Sequence, residues 1–552
     1  MRYGSDVVVE FLQAAGIEHV ALNPGASFRG LHDSLDVAGA PEIVVALHEE
    51  VAVAIAHGYA KSAGRPMAVM LHDQVGLHHA AMALFNAWVD AVPMLVIGGT
   101  GPRDVTRRRP WIDWIHSGHP EAAVIRDVIK WDAEPATLEA LPGTLARALR
   151  IAVTPPAGPV YVGVDALLQE AEAGGIAGGP VPSAPPVAAP PAVVREVADA
   201  LVAAERPVLL IDRGAPGASA ALLPLAERLA AAVVDLGGRS FPPGHWADQP
   251  ADALRDADLV LALELRDVTW GVTTIDLEDR STTSLTDARV IAVGLAELRG
   301  RAFLEPEAFA PGVERITAEL TGFLRDLLDV LPDPGDRTER RERLAAAHDA
   351  HRAAAARAAE EASTRRPIAP AHLAAALGRA LDGLDFLLAN GSLGGWPRRL
   401  WTTHEFLGRS GGEGLGYGLP ASIGASLAQR GTGRLVVDLQ GDGDLMYVPE
   451  ALWTAAHHRL PLLIVVHNNR TYGKDELHQA EIARARGRPG APPPRGIRIE
   501  APHIDFAALA RAQGVHGIGP IEDPAGLDRV LIEAVRRVRD EEVPVLVDVV
   551  SS

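Results

Sequence analysis

Short uninterrupted apolar runs recur along the whole chain, and they constrain its fold more than any other feature. Ile43–Leu47, Met67–Leu71, Met94–Ile97, Val160–Val164, Val208–Ile211, Leu259–Leu263, Leu435–Val437, Leu462–Val466 and Val545–Val549 carry Val, Leu and Ile with no polar alternation. A strand with one wet face alternates apolar and polar residues, whereas a strand covered on both faces does not. Ala-rich stretches with helical spacing separate the runs. Parallel neighbours need a crossover long enough to hold a helix, so this pattern predicts an α/β chain of doubly wound parallel sheets.

Two seams divide the pattern. Residues 171–192 (AEAGGIAGGPVPSAPPVAAPPA) are dominated by Gly, Pro and Ala and read as an extended linker. Residues 331–367 open on Leu331-Pro332-Asp333-Pro334-Gly335 and continue as a charged Arg/Glu/Ala helix with little apolar face, which suits a solvated connector. For 552 residues, the seams imply three α/β domains, at 1–170, 193–330 and 367–552.

Composition removes several function classes. The formal net charge of −19 repels phosphate backbones and anionic lipid heads, so neither nucleic acid nor a membrane is an expected partner. Cysteine is absent, which excludes disulfides, thiolate zinc sites and thiol nucleophiles. Residues 1–6 lack the basic head of a signal peptide, and the longest apolar candidate, 75–99, is broken by His78, His79, Asp90 and Pro93. A soluble cytoplasmic protein is the expectation.

The stretch richest in chemistry lies near the C-terminus. Leu435–Gln440 reads as a strand, Gly441-Asp442-Gly443-Asp444 follows, 450–458 reads as a helix, and Leu462–Val466 as a second strand ending in Asn468-Asn469-Arg470-Thr471. A right-handed crossover sets the C-terminal ends of both strands on one sheet edge, so Asp442 and Asn469 converge. A carboxylate, an amide oxygen and the Thr471 carbonyl are hard ligands, few enough to leave positions for water and phosphate, as Mg²⁺ prefers. Gly441 and Gly443 let the backbone approach a diphosphate closely. The pattern Gly416-Tyr417-Gly418-Leu419-Pro420-Ala421 also fits a dinucleotide fingerprint, but no strand-like run precedes it.

Gly-Asp-Gly at 441–443 followed by Asn-Asn at 468–469 resembles the cofactor motif of thiamine diphosphate-dependent enzymes. The likeness extends to Asn23-Pro24-Gly25, Ala46-Leu47-His48-Glu49-Glu50, Ala56-His57-Gly58-Tyr59-Ala60, Asn86-Ala87-Trp88 and Pro93–Gly99. Residues 451–456 (Ala-Leu-Trp-Thr-Ala-Ala) and 471–473 (Thr-Tyr-Gly) are similar to the branch that contains acetolactate synthases and benzoylformate decarboxylase. The resemblance implies a pyrimidine-binding first domain, a central domain, and a diphosphate-binding third domain. Glu49 then matches the glutamate that bonds the aminopyrimidine and so generates the carbon nucleophile on the cofactor; Glu50 competes, but the Leu-x-Glu register favours Glu49. Leu415 matches the bulky residue that bends the cofactor. Asp442, Asn469 and Thr471 would hold Mg²⁺, and Gly25, Gly391, Ser392, Gly414, Gly441, Gly443, Asp444 and Tyr472 would line the cofactor.

His72 falls where benzoylformate decarboxylase has an active-site histidine, which suits proton transfer, and His79 is expected to face the same pocket; His116 is a weaker candidate. Ala26-Ser27 departs from the decarboxylase pattern, so benzoylformate is not implied as the substrate. The resemblance implies decarboxylation of a 2-oxo acid, followed either by protonation to an aldehyde or by ligation to an aldehyde or ketone acceptor. Its architecture implies a homodimer or homotetramer in which Glu49 of one chain meets the diphosphate site of another. Acetolactate synthases hold FAD in the central domain, yet Asp212-Arg213-Gly214 after Val208–Ile211 shows no specific flavin motif, so FAD is not expected. Two rival readings are a cofactor-binding paralogue without this activity and a flavin- or nucleotide-linked oxidoreductase. Residues 470–500, rich in Arg with prolines at 492–494, read as a basic loop suited to closing over an anionic substrate.

Overall fold

The computed structural model describes all residues except 38, 181, 214–217, 277–279, 300–311, 392, 403–404 and 489–494. The apolar runs form three parallel sheets, because each run is covered on both faces by helices. The first sheet holds β1 (His19–Leu22), β2 (Glu42–Val45), β3 (Ala68–His72), β4 (Met94–Thr100), β5 (Trp131–Ala133) and β6 (Pro159–Asp165), in the order β2-β1-β3-β4-β6-β5. The middle sheet starts with β7 (Pro207–Ile211), β8 (Ala232–Asp235) and β9 (Leu259–Leu263). A small antiparallel pair, β10 (Thr273–Ile275) and β11 (Thr282–Ser284), follows before β12 (Arg289–Gly294) and β13 (Glu314–Thr317) complete it as β13-β12-β9-β7-β8.

The last sheet holds β14 (Phe386–Asn390), β15 (Glu405–Phe406), β16 (Leu435–Gly441), β17 (Leu462–Asn468), β18 (His516–Ile521) and β19 (Val545–Val550), ordered β15-β14-β16-β17-β19-β18. Strands such as β4, β6, β7 and β9 are buried at every position, as continuous apolar sequence requires. Parallel pairing puts all C-terminal strand ends of a sheet on one edge, the place where open α/β sheets bind ligands.

One apolar core runs continuously from the first sheet to the last. It includes Val51, Ile55 and Tyr59 of the helix Glu49–Ala63 together with Leu419, Ile423 and Leu427 of the helix Gly418–Ala428. These helices cross at glycines: a Cβ on Gly58 would lie 1.9 Å from the Ala421 carbonyl oxygen, and one on Gly424 1.9 Å from that of Ile55. The first helix is capped by the His48 imidazole, which accepts from Glu50 N at 3.2 Å, and stops at Gly64 with φ 68°. The middle sheet packs around separate cores of its own.

The charged seam is a helix, Thr338–Glu361, that buries only His348, Ala355 and Ala359, in line with a solvated connector. The Gly/Pro-rich seam is irregular and mostly exposed over its described residues from 177 to 190, but its last two residues open the helix Pro191–Ala203. The structure adds one turn to the sequence reading and corrects one expectation. Asp442–Leu445 is a single helical turn, and residues 470–500 are not a loop throughout, since Gly473–Ala485 forms a helix; prolines 492–494 lie outside the described residues. Two acids in the first turn, Asp475 and Glu476, and the absence of Pro or Gly after the opening Gly473 account for the helix. Among the described residues no helix is long and apolar enough to cross a membrane.

The glycine crossing gives a direct test. Gly58→Ala drives a methyl into the facing backbone and is expected to destabilise by about 1–3 kcal/mol or more, read as a lower urea midpoint. The control, Gly143→Ala in the helix Leu141–Val153, meets nothing within 4 Å and is expected to be neutral or slightly stabilising.

Candidate active site

The C-terminal edge of the first sheet gathers several of the polar side chains singled out from the sequence. Glu49 opens the helix after β2, His72 ends β3, and His79 lies two turns into the helix Asp73–Val89. The Glu49 carboxylate is 6 % exposed and meets His79 Nδ1 at 3.2 Å, while the His79 ring stacks on His48 at 4.8 Å. His72 joins a run of three: its Nδ1 meets Ser27 Oγ at 2.8 Å and its Nε2 meets His116 Nδ1 at 3.3 Å. Burial lowers the His72 pKa, with His116 acting in the same direction and Glu49 against it. Gly25 packs directly on His72, where a Cβ would come within 2.5 Å of the His72 Cβ. Ser27 reaches the histidine from a helical turn over Ala26–Phe28.

A second cluster occupies the corresponding edge of the last sheet. Asp442 is 3 % exposed; its carboxylate accepts from Gly443 N at 2.7 Å and Arg470 N at 2.6 Å, yet burial still pushes its pKa up to about 6. Asn469 Oδ1 accepts from Thr471 N at 3.2 Å, at the end of β17. The first asparagine of the pair plays a different part, because Asn468 donates to Asp548 on β19 at 2.9 Å and pins the strands. Gly443 faces the Tyr472 ring, 2.6 Å from where a Cβ would stand. A buried carboxylate beside an amide oxygen and a glycine-lined backbone turn is a donor set suited to a small hard cation bridging a phosphate. Gly391 follows β14 against Phe406; Ser392 lies outside the described residues.

Leu415 is held between these clusters by its neighbours. Asn86 clasps Gly414 from both sides, donating to its carbonyl and accepting from its N–H, each at 3.1 Å. Gly416 N donates to Asp444 at 2.7 Å. Lys61 is buried and donates to Asp90 at 3.2 Å, Tyr417 Oη at 3.1 Å and the carbonyls of Gly408 and Arg409. Burial lowers Lys61 to about 8 against the pull of Asp90, whose other partner is His57 at 3.0 Å. Motif likeness picks out Asn86 and His57, whereas nothing in the sequence marks Lys61 and Asp90 as partners. Their role depends on a contact between segments more than 300 residues apart.

Glu50 turns away from Glu49, toward Gly416, and is raised to about 7 by burial with Glu450 and Asp444 nearby. Among the described residues, no hydrogen bond joins Glu49, His72 or His79 to Asp442 or Asn469–Tyr472, while Glu50 feels His79 on one side and Asp444 on the other. The basic residues expected over the site are partly neutralised: Arg470 pairs with Glu522, Lys474 with Glu413 and Arg498 with Glu476. A cavity of about 1160 Å³ opens where the three sheets meet, lined by Lys61, Asp90, Arg213, Arg239 and Arg299. The candidate nucleotide residues beside it serve as braces: Asp212 pairs with Arg266, and Arg213 donates to the Val89 carbonyl, while Gly214 lies outside the described residues.

Comparison with known proteins follows the same division. Residues 2–121 match the N-terminal TPP binding domain of thiamine pyrophosphate enzymes, and residues 389–549 match the C-terminal TPP binding domain. A benzoylformate decarboxylase of Pseudomonas aeruginosa is 26 % identical, with 92 % of each chain covered. An acetolactate synthase of Bacillus subtilis is 25 % identical over 99 % of this chain and 92 % of its own. Among solved structures, a thiamine diphosphate-dependent 4-hydroxybenzoylformate decarboxylase of Rhodococcus jostii superposes with a TM-score of 0.75 at 24 % identity, covering 100 % of this chain and 99 % of its own. With both cofactor-binding domains matched over half of its length and the three-sheet fold shared throughout, the chain belongs to the thiamine pyrophosphate enzyme family.

Proposed function

We propose that this protein is a thiamine diphosphate- and Mg²⁺-dependent 2-oxo acid decarboxylase that ends its reaction by protonation, releasing an aldehyde. The observation that carries the reading is the hydrogen-bonded run Ser27–His72–His116 beside the contact of buried Glu49 with the solvent-facing His79. When bound, thiamine diphosphate supplies the carbon nucleophile and accepts the electron pair released with CO₂. Asp442, the Asn469 side-chain oxygen and the Thr471 carbonyl would hold Mg²⁺, with Gly441, Gly443 and Gly391 offering backbone to the diphosphate. Leu415, kept in place by Asn86, Asp444 and Lys61, would support the cofactor between its rings. Glu49 would bond the pyrimidine, in a setting where burial excludes water from the shared proton. His72 would deliver the final proton, oriented from one side by Ser27 and from the other by His116.

The reading includes a homodimer with shared sites, or a dimer of such dimers. Its support is the apolar surface beside each cluster. Trp111, Trp114 and Ile115 are 76, 57 and 55 % exposed next to His116, while Tyr447 and Leu477 are 55 and 66 % exposed next to Asp442 and Tyr472. Isolated soluble chains seldom leave that much apolar area in contact with water around a polar centre. In this reading residues 1–170 serve as the pyrimidine domain, 367–552 as the diphosphate domain and 193–330 as a brace between them.

Product analysis distinguishes the outcomes. Incubation with aromatic and aliphatic 2-oxo acids is expected to give CO₂ and the matching aldehyde; a 2-hydroxy ketone or acetohydroxy acid as the main product would reassign the enzyme to carboligation, and no turnover would reject both. Glu49→Gln is expected to lower kcat by about 10²–10⁴-fold, with cofactor affinity measured by calorimetry changed little, whereas Asp442→Ala abolishes Mg²⁺-dependent cofactor binding. Mixing the two inactive variants after reversible dissociation should restore activity, since a mixed dimer contains one intact shared site. Persistent inactivity of a verified mixed dimer would contradict the shared-site arrangement.

A further inference from the structure

Behind His72 lies a pair of carboxyl groups that the proposed chemistry does not use directly. Asp73 follows His72 at the start of its helix, is 2 % exposed, and adopts φ 34°, a left-handed conformation uncommon outside Gly, Asn and Asp. Its Oδ1 accepts from Gly101 N at 3.2 Å, and its other oxygen lies 3.9 Å from His72 Nδ1. His72, Asp73 and His116 bring one polar atom each to within 4.8 Å of one another. Glu121, fully buried, accepts from Tyr161 Oη at 2.9 Å through Oε2, while no donor among the described residues faces its buried Oε1. The Asp73 carboxyl lies within side-chain hydrogen-bonding reach of Glu121.

Two buried carboxylates cannot both stay ionised in contact without a cation between them, and among the described residues no Lys or Arg is paired with either. A proton on Glu121 removes the conflict and makes its carboxyl a donor toward Asp73. Burial and the Asp73 charge hold the Glu121 carboxyl far above the usual carboxylate range, and burial raises Asp73 to a lesser degree. The surrounding charges are already committed: Arg109 to Asp113, and Glu134 to Arg103, His119 and the Glu121 N–H. Beyond Tyr161 and the Gly101 N–H, the groups left facing this pair are the two histidines. Their nitrogens meet at 3.3 Å, which calls for a proton between them because two lone pairs would repel.

We infer that Asp73 and Glu121 share one proton as a buried acid–carboxylate pair, and that the single charge left on Asp73 is the counterion that keeps a proton on the His72–His116 couple. Asp73 and Glu121 are positioning residues in this arrangement, since each acts through the histidines. The inference rests on the reading of His72 as the proton-handling group.

Two near-isosteric variants separate the roles. Glu121→Gln keeps a donor toward Asp73, so the pH profile of kcat/KM should stay within about 0.3 unit of wild type and the rate within a few-fold. Asp73→Asn, tolerated at φ 34°, removes the charge, so the limb of the profile governed by the histidine couple should move to lower pH by about 1–2 units. Labelled-histidine NMR titration of the full chain should show the same shift. Thiamine diphosphate affinity, measured by calorimetry, should be unchanged in both. The wild-type-minus-Glu121→Gln infrared difference spectrum at neutral pH should contain the carbonyl stretch of an un-ionised carboxyl group. An unmoved NMR titration in Asp73→Asn, a shift of equal size in Glu121→Gln, or the absence of that band would overturn the inference. If Asp73→Asn does not fold, the infrared band and the Glu121→Gln profile still decide whether the shared proton exists. Lack of turnover with any 2-oxo acid in the wild type would instead fall on the proposed function, because the NMR and infrared readouts need no substrate.

Discussion

The crossing of the helices Glu49–Ala63 and Gly418–Ala428 is the contact on which the rest of the arrangement depends. Gly58 and Gly424 let two backbones approach at distances no side chain permits. The apolar residues flanking them then merge the first and last sheets into one core. In the proposed reading both helices have functional residues at their ends: one begins with Glu49, and the other follows the segment that carries Leu415. A close crossing thereby holds two sheet edges, far apart in sequence, at a fixed relation.

Buried charge reinforces that relation and accounts for part of the polar content of an otherwise apolar interior. Lys61, at the far end of the helix that begins with Glu49, gathers Asp90, Tyr417 and two carbonyls of the segment 408–417. An ammonium removed from water is tolerable only when several oxygens replace its hydration, and here those oxygens come from two different sheets' territories. Asn86 does the same for the backbone of Gly414 without charge. The middle sheet contributes through Arg213, Arg266 and Arg299, whose guanidinium groups reach the carbonyls of Val89 and Gly411. The loop that would meet the cofactor is thus supported by three units and is not free-standing.

The two polar clusters use the same principle of parallel-sheet architecture with opposite chemistry. At the first sheet, imidazoles and carboxyl groups are packed closely enough to compete for protons. At the last, a buried carboxylate is braced by backbone N–H groups and left with lone pairs for a cation. In the proposed reading, a second chain completes the oxygen-rich and proton-rich clusters, which matches the apolar surface left beside each.

Much of this was legible in the residues. Continuous Val/Leu/Ile runs call for cover on both faces, so the parallel sheets followed from pattern and the convergence of Asp442 and Asn469 from crossover handedness, whereas Glu49 and His72 were picked out by family resemblance. Sequence could not decide what lies across a long separation. That Ser27 reaches His72, that Asp73 finds Glu121, that Lys61 ties Tyr417, and that the arginine-rich stretch after Asn469 contains a helix and has charges partly cancelled by Glu413, Glu476 and Glu522 are matters of packing. Periodicity reports which face of an element avoids water, a local property of the chain. Which polar group meets which in the interior depends on desolvation and geometry that exist only once the sheets have packed.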